Sequence, residues 1–389
     1  MKYKIDPLKL ASDLVKIRSI TPNAGNAIDL IISILEPFNF ECKKLTFGEG
    51  KDRVENLYAK YGKNNGPNFC FAGHVDVVPP GDESDWSNDP FSGKIENEML
   101  HGRGSVDMKS SIASFISSIA EFLSENQNFK NFGSISLLIT ADEEGKAING
   151  TKKVVEWLEN NNEKIDGCIV GEPTNPETLG EMIKIGRRGS YSGHLVVYGV
   201  QGHVGYPHLA KNPINLLLKM VDPLIKINLD KGTKEFEPST AMITSIDVGN
   251  NSFNIIPNKC SLKFNIRYND LHSQESITKM LEKHFNSFDV KFDFEYFSNA
   301  EPFLTNSKHL ISSMEIAIKE VTKKQSIKST TGGTSDARFI KNICPVIEFG
   351  LVGKLMHKID EKVSTKDILD LSKIYHKFLN IFFRGYKVD

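Results

Sequence analysis

Asn68-Phe69-Cys70-Phe71-Ala72-Gly73-His74-Val75-Asp76 runs from apolar residues straight into a glycine, an imidazole and a carboxylate. Two more stretches behave alike. Ser134-Ile135-Ser136-Leu137-Leu138-Ile139-Thr140 leads into Ala141-Asp142-Glu143-Glu144-Gly145. Asp166-Gly167-Cys168-Ile169-Val170 leads into Gly171-Glu172-Pro173. Short β-rich runs bounded by Gly, Pro and Asp predict buried strands. Helical periodicity lies between them. Asp107-Met108-Lys109 opens a stripe of Ile112, Phe115, Ile116, Ile119 and Leu123, and a further helix is predicted over Lys152–Leu158. Strands alternating with helices make an α/β layer fold. In an open α/β sheet, ligands bind beyond the carboxyl ends of the strands.

The same alternation continues outward. A helix is predicted from Pro7 through Leu10, Leu14, Val15 and Ile17, ended by Ser19-Ile20-Thr21-Pro22, and a second over Ala27–Leu35. Strands are predicted near Val54–Tyr61 and Asn68–Val78, with a turn at Pro79-Pro80-Gly81-Asp82. The pattern changes after Arg188. Gly193–Val200 alternates as a strand, and Asn212–Val221 reads as a helix with Pro213 at its start. Ala241–Val248 and Lys259–Tyr268 read as a strand pair, Ser276–His284 as a helix and Val290–Phe297 as a strand. A β-α-β-β-α-β order is the ferredoxin-like arrangement, here expected as an insert at 189–300. From Phe303 the helix–strand alternation resumes, with a strand at Cys344–Phe349 and a closing helix at Ile368–Phe382. The first domain is therefore expected to be discontinuous, built from 1–188 and 301–389.

A chain of 389 residues is long for one core, which agrees with two domains. Hydrophobic residues at 39% and charged residues at 25% describe an ordinary globular chain. A net charge of -1 favours neither nucleic acid nor a membrane surface. No apolar run nears the roughly 20 residues of a membrane-spanning helix. Met1-Lys2-Tyr3-Lys4-Ile5-Asp6 lacks the apolar core of a signal peptide. The five cysteines (Cys42, Cys70, Cys168, Cys260, Cys344) are odd in number, widely spaced and without a C-x-x-C pair. That points to a reducing cytoplasm and away from a cysteine metal site.

His74, Asp107, Glu144, Glu172 and His357 are the candidate metal ligands. Each has an ordinary alternative. Asp107 could be a helix N-cap, His74 and Asp76 a buried imidazole beside a surface acid, Glu143-Glu144 a solvated acidic turn, and Gly171-Glu172-Pro173 a plain turn. Together they make a nitrogen and oxygen donor set of the kind zinc takes. Five donors exceed one tetrahedral zinc with an open position, but suit two zincs if one carboxylate bridges. Asp107 is the bridge candidate. In a strand, His74 and Asp76 point the same way, so Asp76 is expected to hydrogen-bond the imidazole nitrogen not used for metal. Of the adjacent pair, one Glu would bind metal while the other accepts a proton.

Gly73-His74-Val75-Asp76-Val77-Val78-Pro79 resembles the first signature of the zinc aminoacylase and carboxypeptidase family of metallopeptidases. So does Gly102-Arg103-Gly104-Ser105-Val106-Asp107-Met108-Lys109. Asp142-Glu143-Glu144-Gly145 and Gly171-Glu172-Pro173-Thr174 complete the set. The likeness runs from the Ser19-Thr21-Pro22 region to His357. It implies a two-zinc exopeptidase-like catalytic domain with helices around a mixed sheet, and an inserted dimerisation domain that makes a homodimer. It also implies two zinc ions per subunit, with cobalt able to replace zinc. His74 and Glu172 would hold one ion, Glu144 and His357 the other, and Asp107 both. Glu143 would be the general base and acid, and Asp76 would orient His74. His203 and Asn254 would reach into the partner's site. Ala141 and the loop Asn250-Asn251-Ser252-Phe253 depart from the family pattern.

Three further strings resemble a branch of the family that hydrolyses a succinyl amide. They are Ile183-Lys184-Ile185-Gly186-Arg187-Arg188-Gly189-Ser190, then Gly202-His203-Val204-Gly205-Tyr206-Pro207-His208 followed by Asn212-Pro213, and Gly332-Gly333-Thr334-Ser335-Asp336-Ala337-Arg338-Phe339. The implied reaction turns N-succinyl-LL-2,6-diaminopimelate and water into succinate and LL-2,6-diaminopimelate, on the route to lysine. Such a small, multiply anionic substrate needs cations, and arginine binds carboxylates with a two-pronged donor set. Arg187, Arg188, Arg267 and Arg338 are candidates, with Lys184; Arg187 and Arg267 are taken as substrate-binding, together with His203, Tyr206, Asn254 and Thr334. Acetylornithine deacetylases, other deacylases, dipeptidases and a silent metal-binding scaffold are the rival readings.

Overall fold

The computed structural model describes residues 4–63, 66–226 and 229–385, so Met1–Tyr3 of the N-terminal stretch lie outside it. Two compact units divide the chain. One comprises Met1–Ile185, Thr305–Ser329 and Ser335–Asp389, the other Gly186–Leu304 with Thr330–Thr334.

The first unit is built on an eight-stranded mixed sheet. Its spatial order is Glu41–Phe47, Val54–Gly62, Ser134–Thr140, Asn68–His74, Gly167–Val170, Val346–Glu348, Met182–Lys184 and Ile327–Ser329. Asn68–His74 runs parallel to both of its neighbours, with His74 opposite Thr140 and Ala72 opposite Val170. Neighbouring strands lie about 4.8 Å apart. Parallel pairing therefore delivers residues 74, 141–144 and 171–172 to one edge of the sheet. Every residue of these three strands is buried, as expected of strands covered on both faces. Phe71 stacks on Phe115 of the helix Ser110–Glu125 at 4.3 Å between ring centres. Phe69 meets Phe378 of the helix Thr365–Arg384 at 4.8 Å.

The second unit is a four-stranded antiparallel sheet, in spatial order Thr240–Asp247, Lys259–Tyr268, Gly189–Tyr198, Phe292–Ala300. The helices Pro213–Lys226 and Gln274–Phe285 pack on it, burying Leu217, Met220, Val221, Ile277, Leu281 and Phe285 against Tyr191, Leu195, Phe264 and Ile266. That is the ferredoxin-like order. The first strand starts at Gly189, four residues before the alternation is legible, because Gly189 and Gly193 sit under the rings of Tyr268 and Phe264. All five cysteines are free, and no described helix is long and apolar enough to cross a membrane.

Candidate active site

His74 is the last residue of its strand and almost wholly buried. Its Nε2 lies 3.1 Å from Asp107 Oδ1 and 3.6 Å from Glu172 Oε1. His357 Nε2 lies 3.2 Å from Asp107 Oδ2 and 2.8 Å from Glu144 Oε1. The two oxygens of one carboxylate thus face two different imidazoles, each with its own glutamate. Donor atoms of His74, Asp107 and Glu144 all lie within 4.8 Å of one another, as do those of His74, Glu143 and Glu172.

Asp107 does not begin the helix that follows it. The helix starts at Ser110, and Asp107 has extended dihedrals (φ -122, ψ 94) in the turn Ser105–Lys109. Leaving helical geometry aims the carboxylate at the two imidazoles rather than along a helix axis. Gly104, at φ 80, starts this turn in a conformation that disfavours side chains. Gly73 lets Met108 close against the strand, since a Cβ there would lie 2.5 Å from the Met108 methyl.

The expected bond from the Asp76 carboxylate to His74 is corrected by the geometry. Nδ1 of His74 is 2.9 Å from the backbone carbonyl of Asp76 and 3.6 Å from its carboxylate. The chain turns beyond the strand end, so the carbonyl takes the ring proton. The carboxylate instead accepts the backbone N–H groups of Glu143 (3.4 Å) and Glu144 (3.1 Å). Asp142 closes the same loop by accepting the N–H groups of Ile148 and Asn149.

The electrostatics are those of crowded acids. Burial lifts Glu143 well above the usual carboxylate range, against the pull of His74, and Asp336, Glu144 and Asp107 lift it further. Burial, Asp107 and Glu143 do the same to Glu172. Asp107 is pushed up by burial, but hydrogen bonds to His357 and His74 outweigh that and hold it well below its ordinary value. Burial opposes a charged His74, yet Asp107 and Glu172 raise it well above the ordinary imidazole range. Hydrogen bonds to Asp107 and Glu144 carry His357 to about 10. The two raised imidazoles face a group of carboxylates short of positive charge. Divalent cations would neutralise it more fully and leave Nε2 of each ring as a ligand. The donors present fit two such ions.

All six residues expected to bind substrate lie in the second unit, Thr334 included, which falls in its Thr330–Thr334 segment rather than with the metal-ligand residues. Arg187 donates to the Thr331 carbonyl (3.2 Å) and lies against Gly332, where a Cβ would meet its guanidinium at 2.6 Å. His203 and Asn254 come together at the short pair Gly202–His203 with Ile255–Ile256, where Val204 donates to the Asn254 carbonyl. The exposed ring of Tyr206 lies 5.6 Å from His203. Arg267 stands opposite Ser190 in the sheet. Arg188 donates to the Pro238 carbonyl and sits 3.7 Å from Glu237, and Lys184 is buried against Ser329.

Sequence reasoning assigned no role to Arg103, Lys109, Asp336 or Glu361, all buried in the first unit. Lys109 donates to the Ile17 carbonyl at 2.7 Å, and burial draws its ammonium down to about 7. The only signal for Glu361 is its place four residues after His357.

A family model, peptidase family M20/M25/M40, matches residues 70–381. The chain belongs to that family. It is 48% identical over 381 residues to the curated succinyl-diaminopimelate desuccinylase of Rhodospirillum centenum, a match covering 98% of each protein. Among solved structures it resembles the M20 family metallo-carboxypeptidase Sso-CP2 from Sulfolobus solfataricus, with TM-score 0.79, 19% identity and coverage of 97% and 99%. It also resembles the Bacillus subtilis YXEP protein, described as a dinuclear metal binding peptidase, with TM-score 0.69, 15% identity and 98% of each chain covered. At those identities the two structures speak for the fold.

Proposed function

We propose that this chain hydrolyses N-succinyl-LL-2,6-diaminopimelate to succinate and LL-2,6-diaminopimelate, in the diaminopimelate route to lysine. The observation that supports an amide hydrolase is Asp107, whose two oxygens face two separate His–Glu pairs with Glu143 beside them. The succinyl and diaminopimelate halves of the proposal rest on the near full-length likeness to the named desuccinylase.

His74, Asp107 and Glu172 would hold one zinc ion, and His357, Asp107 and Glu144 a second, with cobalt able to replace zinc at the same nitrogen and oxygen donors. When bound, the ions would supply Lewis-acid polarisation of the amide carbonyl and increased acidity of the attacking water. Glu143 then takes the proton of that water and passes it to the leaving amine. Its carboxylate, beside the donor atoms of His74 and Glu172, is placed for both transfers. His203 Nδ1 lies 3.0 Å from the N–H of Gly205. Accepting that bond leaves the ring proton on Nε2, which is the donor an oxyanion needs. Arg187, Arg267, Tyr206, Asn254 and Thr334 would receive the substrate's carboxylates and polar groups.

The second unit would join two copies of the chain. Its edge strand Thr240–Asp247, unpaired on its outer side among the described residues, exposes Met242 and Ile246, and an edge of that kind invites another strand. The dimer would place His203 of one copy at the other's metal-ligand cluster. A cytoplasmic location fits the free cysteines and the biosynthetic substrate.

Purified, zinc-loaded protein should release succinate from N-succinyl-LL-2,6-diaminopimelate and lose that activity on chelation. Assays beside acetylornithine, other acylated amino acids and dipeptides test the specificity. Faster turnover of an acetylated amine would replace the proposed substrate.

A further inference from the structure

Arg103 and Glu361 lie 258 residues apart in sequence and meet in the interior of the first unit, both nearly inaccessible. Arg103 donates to Glu361 Oε2 at 2.6 Å. The other oxygen, Oε1, accepts the backbone N–H groups of Val106 (2.9 Å) and Asp107 (3.3 Å). The guanidinium also donates to the carbonyls of Lys358 (3.2 Å) and His357 (3.3 Å), and stacks on Trp86 at 5.1 Å. The carbonyl of Glu361 accepts the N–H of Gly102. Apart from the ion pair itself, each of these bonds ends on the backbone of a candidate ligand or of a residue within five positions of one. His357 itself has φ 61, a left-handed conformation that few non-glycine residues hold without outside support.

We propose that Arg103 and Glu361 are positioning residues that lock the His357 loop to the Asp107 turn and so create the second metal position. This rests on the two-metal reading above. Asp107 and His357 come from opposite ends of the chain, and their side chains can share an ion only if their backbones are fixed to each other. The ion pair does that through one carboxylate oxygen that accepts two amides on one side and a two-carbonyl fork on the other. Among the described residues it makes no bond to His74 or Glu172, and of the donors proposed for their ion it reaches only the backbone of Asp107, whose turn is also closed by the Lys109 N–H on the Gly104 carbonyl. The His74–Glu172 position should therefore survive its loss.

Zinc binding by the metal-free full-length chain, titrated stepwise against a competing chelator, tests this. The wild type should take two equivalents. Arg103→Lys keeps a positive charge for Glu361 but cannot fork to both carbonyls. Its second equivalent should weaken by about 10- to 100-fold, the usual cost of losing an outer partner of a ligand, while the first changes little. Glu361→Gln should act in the same direction. A folded Arg103→Lys chain, checked by circular dichroism, that binds both equivalents as the wild type does would overturn the proposal. So would equal weakening of both. A wild type that binds one equivalent would instead overturn the two-metal reading. Hydrogen exchange on the unaltered chain gives a measurement that needs no variant to fold. The Val106 and Asp107 amides and those of residues 358–361 should open at one rate; independent opening contradicts the clamp.

Discussion

Asp76→Asn separates two ways in which an acid beside a histidine can act. In the structure the carboxylate accepts from Glu144 at 3.1 Å and from Glu143 at 3.4 Å, while the His74 ring is held by the carbonyl of residue 76. Asparagine has one accepting oxygen, so one of the two N–H groups, the longer-bonded one at Glu143, faces an amide that cannot accept. The carbonyl bond to His74 is untouched. A lost charge-assisted bond costs about 1.5–3 kcal/mol, equivalent to roughly 10- to 150-fold in rate if it is spent on misplacing Glu143 and Glu144. Turnover should fall within that range, the Glu144–His357 metal position should weaken, and the His74–Glu172 position should stay filled. Stability should move the other way. Burial raises Asp76 from 3.8 to about 6, so the folded state binds more protons than the unfolded state between those values. The contribution of Asp76 to stability is thus present below 3.8 and lost as pH rises through 6. The metal-free Asn variant, lacking that titration, should gain in melting temperature relative to wild type over the same interval. Chelator titration, steady-state kinetics and melting curves from pH 3.5 to 7 measure all three. Selective loss of the His74–Glu172 metal, with turnover otherwise intact, would falsify the assignment of Asp76 to the Glu143–Glu144 turn.

Glu143→Gln should keep both zinc ions and abolish nearly all turnover, because the amide keeps the shape but cannot take a proton; zinc lost on elemental analysis would make Glu143 a ligand. Mixing inactive Glu143→Gln chains with inactive His203→Ala chains should restore part of the activity, since a mixed dimer holds one complete site. Proven subunit exchange with no activity returning would exclude the role across subunits. In the metal-free chain His357 is raised from 6.5 to about 10, so its stabilising pairing is full below 6.5 and lost as pH rises through 10. The melting-temperature difference between wild type and His357→Ala should shrink over that window, and a difference that widens would contradict the pairing with Asp107 and Glu144.

Legibility from sequence followed the length and regularity of each element. Ser134–Thr140 and Lys259–Tyr268 were readable to the residue, because seven or more consecutive positions carry a strand pattern. Met182–Lys184 and Ile327–Ser329 have three residues each and no period to detect. Among site residues, types and spacings pointed to His74, Asp107, Glu144, Glu172 and His357, but not to what their backbones do. The turn at Asp107 and the switch from carboxylate to carbonyl at Asp76 depend on dihedral angles that tertiary packing sets. Glu361 escaped because a buried acid partnered by a distant arginine looks, in sequence, like any surface glutamate.

The strand Val346–Glu348 lies between Gly167–Val170 and Met182–Lys184. On the ribosome, residues 167–184 leave the exit tunnel more than 160 positions before the strand that must fill the gap between them. The ferredoxin-like sheet, complete by residue 300, can fold while the larger unit is still open. The last of the proposed donors, His357, emerges later still. A polypeptide terminated before residue 346 would therefore carry an incomplete sheet and an incomplete set of proposed donors together.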